Sequence, residues 1–258
     1  PGVYMVILNP KTETPMKTLL AALLLAAGCL PAASAATLAD VEVIDRNTGR
    51  TLETWRHRGR LYVAGTPGNR YAVSVRNRTG GRLLTVLAVD GVNAVTGETA
   101  ATGQSGYVLA PGQGTEVSGW RKSLAEVAAF YFTRLPDSYA ARTERPENVG
   151  VIGVAVFEEY VPPPAPVAQS GAREKAESAD RAPAAAKAES RLGTGHGERI
   201  VSPVGQTEFR RRSDQPGEVI VIHYDSRPNL IARGIIPGAP RPVHPNPFPG
   251  GFVPDPRG

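Results

Sequence analysis

The chain has 258 residues, with 24 prolines, 28 glycines and a formal net charge of +5. That length predicts one principal domain, and the proline and glycine content indicates accessory segments outside its core. The excess of Lys and Arg over Asp and Glu is small and is spread along the chain. Nucleic-acid binding needs a concentrated positive surface, so the composition argues against that function.

The first 35 residues predict export. Residues 1–15 are interpreted as an upstream, non-native extension that precedes the biological start at Met16. Residues 16–35, MKTLLAALLLAAGCLPAASA, have the positive start, apolar run and small-residue cleavage site of a secretory signal peptide. The apolar run is shorter than the roughly 20 residues of a membrane-spanning helix, so we expect no transmembrane span. The protein is therefore predicted to be secreted, into the periplasm or the extracellular space.

Cys29 is the only cysteine in the chain. It ends the stretch AAGC, which is similar to a bacterial lipobox, and a lipoprotein anchored through Cys29 is the alternative to cleavage after Ala35. Cleavage after Ala35 is favoured because a signal that ends at Gly28 is short for a lipoprotein. In either case disulfide bonds do not support the fold.

Residues 36–160 predict a mainly β domain. Apolar and polar residues alternate, and turn signals such as Asp90-Gly91 interrupt them at the short intervals typical of all-β folds. The pattern predicts an antiparallel β-sandwich with a jelly-roll-like arrangement. Short helices are predicted at Ser123–Glu126, which has a capping-box pattern, and at Asp137–Arg142. The candidate strands are Val41–Asp45, Thr51–Arg56, Arg60–Ala64, Tyr71–Asn77, Leu83–Val89, Val92–Val95, Gly106–Leu109, Thr115–Trp120, Ala128–Leu135 and Val151–Tyr160.

Two segments have the composition of disordered chain. Residues 161–191 are rich in Pro, Ala and alternating charge, and they contain no aromatic residue. Such a segment buries too little apolar surface to fold, so it is predicted to be a linker. Residues 237–258 form a Pro-rich tail that is predicted to be disordered or extended.

Residues 192–236, between those segments, predict a small β-β-α unit. Gln206–Arg212 is expected to pair with Glu218–Tyr224, a strand with apolar residues on both faces. A helix at Pro228–Arg233 is expected to follow, capped by Asp225 or Ser226. The unit is small for an independent core, so we expect it to dock on the sandwich or on a partner.

The sequence contains no diagnostic motif for catalysis, a metal or a cofactor. His223 and Asp225 lie two residues apart on a predicted strand, so their side chains share a face, as an envelope hydrolase requires of its base and acid. Ser226 points the other way, and no GxSxG elbow is present. The glycines around His196 in GTGHGE lack the spacing of a phosphate loop and are interpreted as a flexible lead-in to the β-β-α unit. We therefore predict no catalytic residue, no metal ligand and no cofactor.

One candidate binding site is an arginine cluster. Arg56, Arg58 and Arg60 alternate across a predicted hairpin end, which would place three guanidinium groups on one side. They would then suit an anionic envelope component such as a lipid phosphate. A solvated strand edge that prevents sheet-to-sheet aggregation explains the same pattern.

The second candidate is the corner at the end of GYVLAPGQGTEVSGWRKS. Trp120 is expected to cover the end of the core where the chain turns. Arg121 and Lys122 are expected to be exposed beside it. A positively charged corner of this kind is a candidate contact for an envelope protein.

Four stretches carry a resemblance to known proteins: DGVNAVTGETA, QSGYVLAPGQGTEVSGWRKS, NVGVIGVAVFEEY and EVIVIHYDSRPNLIARGII. They resemble a family of uncharacterised secreted bacterial β-sandwich proteins. The resemblance covers most of the chain outside the linker and tail, and it implies that the sandwich and the C-terminal unit belong together. No activity is assigned to that family, so it supplies no functional residue.

The sequence thus predicts an exported, non-enzymatic envelope protein whose β-sandwich binds a partner. The contrast between a well-patterned β domain and the lack of a nucleophile, base or metal cluster supports that prediction. Two alternatives are an envelope hydrolase that uses His223 and Asp225, and a structural subunit that assembles through its sheet edges.

Overall fold

A computed structural model describes residues 3–6, 37–162 and 191–238. The predicted signal peptide with Cys29, most of the predicted upstream extension, most of the predicted linker and nearly all of the predicted tail lie outside the described residues. Within them the elements are β1 (Val3–Val6), β2 (Ala39–Asp45), β3 (Arg50–Thr51), β4 (Thr54–His57), β5 (Arg60–Gly65), β6 (Tyr71–Asn77), β7 (Leu83–Val89), β8 (Val92–Asn93), β9 (Tyr107–Leu109), β10 (Gly114–Val117), β11 (Gly119–Arg121), β12 (Glu126–Arg134), α1 (Tyr139–Arg142), β13 (Val151–Glu158), β14 (Leu192–Val201), β15 (Gly205–Glu208), β16 (Glu218–Ser226) and α2 (Arg227–Ala232).

The fold is mainly β and is built from three sheets. The largest runs in the order β15-β1-β9-β7-β13-β16-β5-β4, with β8 paired to β7. The second runs β10-β6-β2-β3 and the third β11-β12-β14. The pairs β1 with β9 and β16 with β5 are parallel, and each joins a strand from outside residues 36–160 to a strand of the predicted β domain.

One apolar core draws side chains from all three sheets. Val73 of β6, Leu87 of β7 and Phe130 of β12 are buried in it. Tyr71 stacks on Phe132 at a ring separation of 4.3 Å, which joins the second sheet to the third. Burial of each such side chain contributes about 1.5–3 kcal/mol, so this contact among the sheets is a major source of stability.

The predicted strands at Tyr71–Asn77 and Leu83–Val89 are confirmed. The predicted strand Thr115–Trp120 is divided, because β10 pairs with β6 and β11 with β12 in another sheet. The predicted helix at Ser123–Glu126 is wrong. The Ser123 hydroxyl does accept hydrogen bonds from the Ala125 and Glu126 amides, but it closes a turn that leads directly into β12.

The predicted pairing of Gln206–Arg212 with Glu218–Tyr224 is wrong. The strand β15 pairs with β1, whereas β16 lies between β13 and β5 in the largest sheet. Residues 192–236 therefore supply strands to sheets that they share with residues 36–160. The predicted C-terminal helix is confirmed as α2, with the Ser226 hydroxyl accepting from the Asn229 amide. Neither helix in the described ranges has the length and apolarity that crossing a bilayer would take.

The GTGHGE stretch lies in β14 and not in a flexible segment. Its strand pairs with β12, with Gly195 opposite Tyr131. A Cβ atom at Gly195 would lie 2.1 Å from the Tyr131 ring, and one at Gly193 would lie 2.6 Å from Ser138 Cβ. These glycines are therefore explained by close packing on neighbouring side chains.

Candidate functional site

The β4–β5 hairpin places the arginine cluster at one end of the largest sheet. Its two-residue turn is Arg58-Gly59, with φ of 48° and 77°. Two successive left-handed residues are typical of the tight turn that matches the twist of hairpin strands. Gly adopts this conformation freely, but Arg does so at a cost of about 1–2 kcal/mol. A strained Arg at such a position points to a use for its side chain.

The hairpin register separates the three arginines. His57 pairs with Arg60, and Arg56 pairs with Leu61. Directly paired residues share a face of the sheet, so Arg60 and His57 lie on one face and Arg56 on the other. The prediction that the three guanidinium groups share one side is therefore wrong for Arg56, because the two-residue turn shifts the alternation.

The helix α2 brings a further arginine to the face that carries Arg60. The helix ends at Ala232 with Arg233 as its C-cap, and Gly234, with φ of 68°, reverses the chain. The Ile235 amide then bonds the Leu230 carbonyl at 2.9 Å, which fixes this end of the helix against Tyr62. The Arg233 guanidinium lies 5.6 Å from the Tyr62 ring centroid, in cation–π range.

These elements form an open cavity of about 520 Å³, which we call the arginine pocket. Neither Arg58 nor Arg60 makes an ion pair with a carboxylate of the part of the chain that the structure describes. Arg233 has an acidic neighbour, with 3.5 Å between its Nη1 and Asp225 Oδ2. The pocket therefore carries a positive charge. It is lined by His57, Arg58, Arg60, Tyr62, Arg233 and Ile235.

An adjoining cavity contains the predicted His223 and Asp225 pair, and Arg233 lines both cavities. Asp225 is buried, and its Oδ1 accepts hydrogen bonds from the Ser226 amide and the Asn229 side chain, both at 2.7 Å. Its other oxygen faces Arg233. The hydrogen bonds and ion pair of the Asp225 carboxylate thus link β16 to α2.

His223 stacks on Tyr62, with ring centroids 5.3 Å apart. Burial lowers the pKa of His223, and the nearby Arg60 and Arg233 guanidinium groups lower it further. The imidazole is therefore neutral at neutral pH and adds hydrogen-bonding atoms beside the pocket without adding charge.

At the corner around Trp120, the solvent exposure of one residue, Arg121, differs from the prediction. Trp120 is buried, 4.8 Å from the Phe130 ring in an edge-to-face contact, and Lys122 is exposed as expected. Arg121 is only 8% exposed, so its expected exposure is wrong. Its Nη1 donates to the Ser202 carbonyl at 2.7 Å and to the Ser123 carbonyl at 3.1 Å. The guanidinium group joins β11 to the segment after β14.

A buried polar network was missed by the sequence interpretation. Asp90 forms the predicted turn with Gly91, but its carboxylate lies in the core and accepts from the Gly150 amide, the Thr194 amide and the Tyr224 hydroxyl. Thr194 Oγ1 in turn bonds the hydroxyl groups of Tyr71 and Tyr224. Burial raises the pKa of Asp90 to about 6. Nothing local in the Asp-Gly signal indicates this network, because its partners come from distant parts of the chain.

Comparison with known proteins adds no assignment. No family model, curated protein or solved structure matches this chain. Among the described residues, no group of three or more His, Cys, Asp and Glu side chains is placed to hold a metal ion. The chemistry of the site is therefore argued from the arginine pocket itself.

Proposed function

We propose that this protein is an exported, non-enzymatic envelope protein whose arginine pocket binds a phosphate group of an anionic envelope component. In this proposal the strands form a jelly-roll-like β-sandwich that presents the pocket. Export rests on the signal peptide predicted at residues 16–35, with a lipid anchor at Cys29 as the alternative form. The observation that carries the binding proposal is that three arginines, Arg58, Arg60 and Arg233, line one opening.

A phosphate group fits this set better than a single carboxylate does. Guanidinium groups donate paired hydrogen bonds to phosphate oxygens, and three of them match a group with several oxygens and up to two charges. The Tyr62 ring holds Arg233 in place before a ligand arrives, which lowers the entropy lost on binding.

The hydrolase alternative is less well supported. His223 and Asp225 do line one cavity, as a base and its orienting acid require. Asp225, however, is bonded to Ser226, Asn229 and Arg233, and the Ser226 hydroxyl caps α2. Neither Asp225 nor Ser226 is left to orient His223 or to act as a nucleophile.

The binding proposal is tested with Arg60→Gln. We expect the purified protein to bind glycerol phosphate, measured by titration calorimetry, or vesicles containing phosphatidylglycerol, measured by sedimentation. Arg60→Gln should weaken binding at least about tenfold, because a charge-assisted hydrogen bond contributes about 1.5–3 kcal/mol. Binding of the soluble ester identifies a free phosphate ester as the ligand class, and binding of vesicles alone identifies a lipid headgroup.

Arg56→Gln is the matched control. It removes the same charge from the same hairpin, but Arg56 lies on the opposite face of the sheet and does not line the arginine pocket. Affinity should change less than about twofold. An equal loss in both variants would mean diffuse attraction with no pocket, and the absence of binding to both probes would overturn the proposal.

A further inference from the structure

The strand β1 fills a gap in the largest sheet. Val3–Val6 pairs in parallel with β9, with Met5 opposite Tyr107, and antiparallel with β15, with Met5 opposite Gln206. The Met5 amide donates to the Gly106 carbonyl at 3.2 Å. Among the described strands β15 has no other partner than β1. Since adjacent strands lie about 4.8 Å apart, removal of β1 would leave a groove of about 10 Å between two unpaired strand edges.

The groove is shaped for an aromatic residue. The Tyr4 side chain is buried and contacts Phe209 edge to face, with ring centroids 5.9 Å apart. The Arg211 guanidinium lies 5.8 Å from the Tyr4 ring centroid and 4.1 Å from that of Phe157. The rest of this cluster is apolar and includes Leu84. The groove thus offers an edge contact and a cation to one ring, together with two rows of backbone hydrogen-bonding groups.

The exported protein would lack β1. Translation from Met16 would omit Val3–Val6, and cleavage after Ala35 would remove them from a chain that starts upstream, so this inference rests on the export proposed above. An open slot with unpaired edges and exposed Phe209 and Phe157 is the arrangement that binds a strand from another chain. The chain's own Pro-rich tail is a poor occupant, because proline cannot donate to two neighbouring strands.

We propose that the groove between β9 and β15 is a strand-acceptor site that binds an extended segment of a partner protein. That segment runs parallel to β9, places an aromatic residue between Phe209 and Arg211, and has no proline at the next position. In this structure Val3–Val6 occupy the position of the partner segment, and their pairing and the Tyr4 contacts show what the segment must provide.

The test uses the full chain with a protease site inserted between Ala35 and Ala36, cleaved after folding. A fluorescent peptide with the sequence of residues 1–8 is the probe, and anisotropy measures its binding. We expect saturable binding that weakens at least about tenfold when the peptide carries Tyr4→Ala. A Met5→Pro peptide should also fail to bind, because it lacks the amide that bonds Gly106 but keeps an apolar side chain.

Protein variants distinguish binding of the peptide in the groove from nonspecific binding to the protein surface. Arg211→Gln should weaken binding of the peptide several-fold, whereas Arg212→Gln, its exposed neighbour, should not. Binding of the Tyr4→Ala and Met5→Pro peptides as tight as that of the unaltered peptide would overturn the proposal, and so would no binding of the unaltered peptide. Binding that appears only after deletion of residues 239–258 would assign the groove to the tail. Dimers of the cleaved protein that the peptide dissociates would assign it to a second copy, and both results contradict a partner strand.

The proposed binding of a strand in this groove is independent of phosphate binding in the arginine pocket. Arg60→Gln should leave peptide binding unchanged, and Arg211→Gln should leave phosphate binding unchanged. Loss of one activity therefore does not imply loss of the other.

Discussion

Arg121 is a buried cation held by oxygen atoms of the chain. Its guanidinium bonds the Ser202 carbonyl and hydroxyl and the Ser123 carbonyl, and it lies 5.8 Å from the Tyr107 ring centroid. The adjacent Lys122 is exposed. A buried charge with several hydrogen bonds stabilises the fold only while those bonds remain intact, so the two neighbours have different consequences when changed.

We predict that Arg121→Met lowers the free energy of unfolding by about 2 kcal/mol, because it removes a buried guanidinium group and its hydrogen bonds to Ser123 and Ser202. Lys122→Met is the control and should change that free energy by no more than about 0.5 kcal/mol. Urea unfolding of both variants measures the difference. Equal effects would show that Arg121 is not a structural cation.

The sequence did not distinguish these residues. Alternation along a strand predicts which side chains share a face, but Arg121 is buried by Ser202, which lies 81 positions away and reaches it through the β12–β14 pairing. The face on which Arg56 lies was not predictable from alternation either. The two-residue turn pairs Arg56 with Leu61, so Arg56 and Arg60 lie on opposite faces of the sheet. Trp120, by contrast, was correctly expected to be structural, since a large aromatic ring finds few places outside a core.

At the scale of elements, the β4–β5 turn places a strained residue, Arg58, in the lining of the arginine pocket. Arg58 has φ of 48°, in the left-handed region where Asn and Gly are the preferred hairpin residues. The strain is local, because Gly59 completes the turn at no steric cost. The phosphate proposal explains why a charged side chain stands where a turn residue would be more stable.

We predict opposite effects of Arg58→Asn on stability and binding. The free energy of unfolding should rise by about 0.5–1 kcal/mol as the turn relaxes, and phosphate affinity should fall as one guanidinium is lost. Arg58→Val should lower both, because a β-branched residue is strained at positive φ. Thermal unfolding and the phosphate titration give the two values. A stability loss in Arg58→Asn would show that the side chain supports the hairpin itself.

The sequence predicted the positions of those helices and strands that local signals, such as alternation or a helix cap, determine. The Tyr71–Asn77 strand alternates cleanly, and the Ser226 cap opens α2 as its pattern predicts. The Ser123–Glu126 prediction was wrong because a serine hydroxyl that accepts nearby amides starts a turn as readily as a helix, and strand pairing of β12 decided between them. The pairing of β16 with β5 could not be predicted from local sequence either, since this parallel pair joins residues about 160 positions apart.

At the scale of the whole molecule, the Asp90 network links all three sheets. Asp90 follows β7, Tyr71 lies on β6, Thr194 on β14 and Tyr224 on β16. Its hydrogen bonds replace water for a carboxylate that the fold buries completely. Burial nevertheless dominates, and it raises the pKa of Asp90 from 3.8 to about 6. Protonation of this single group is therefore coupled to the stability of the entire fold.

We predict from this shift that acidification stabilises the protein through Asp90. Between about pH 4 and pH 6 the folded state binds the proton more tightly than the unfolded state does, so the contribution of Asp90 is largest at low pH and is lost as pH rises through about 6. Wild type should gain about 2 kcal/mol relative to Asp90→Asn between pH 7 and about pH 4.5. Urea unfolding of both proteins at the two pH values measures this difference, in which other titrating groups cancel. A difference that stays constant or shrinks on acidification would mean that Asp90 remains ionised in the folded protein, held by the Tyr224 hydroxyl and the two backbone amides.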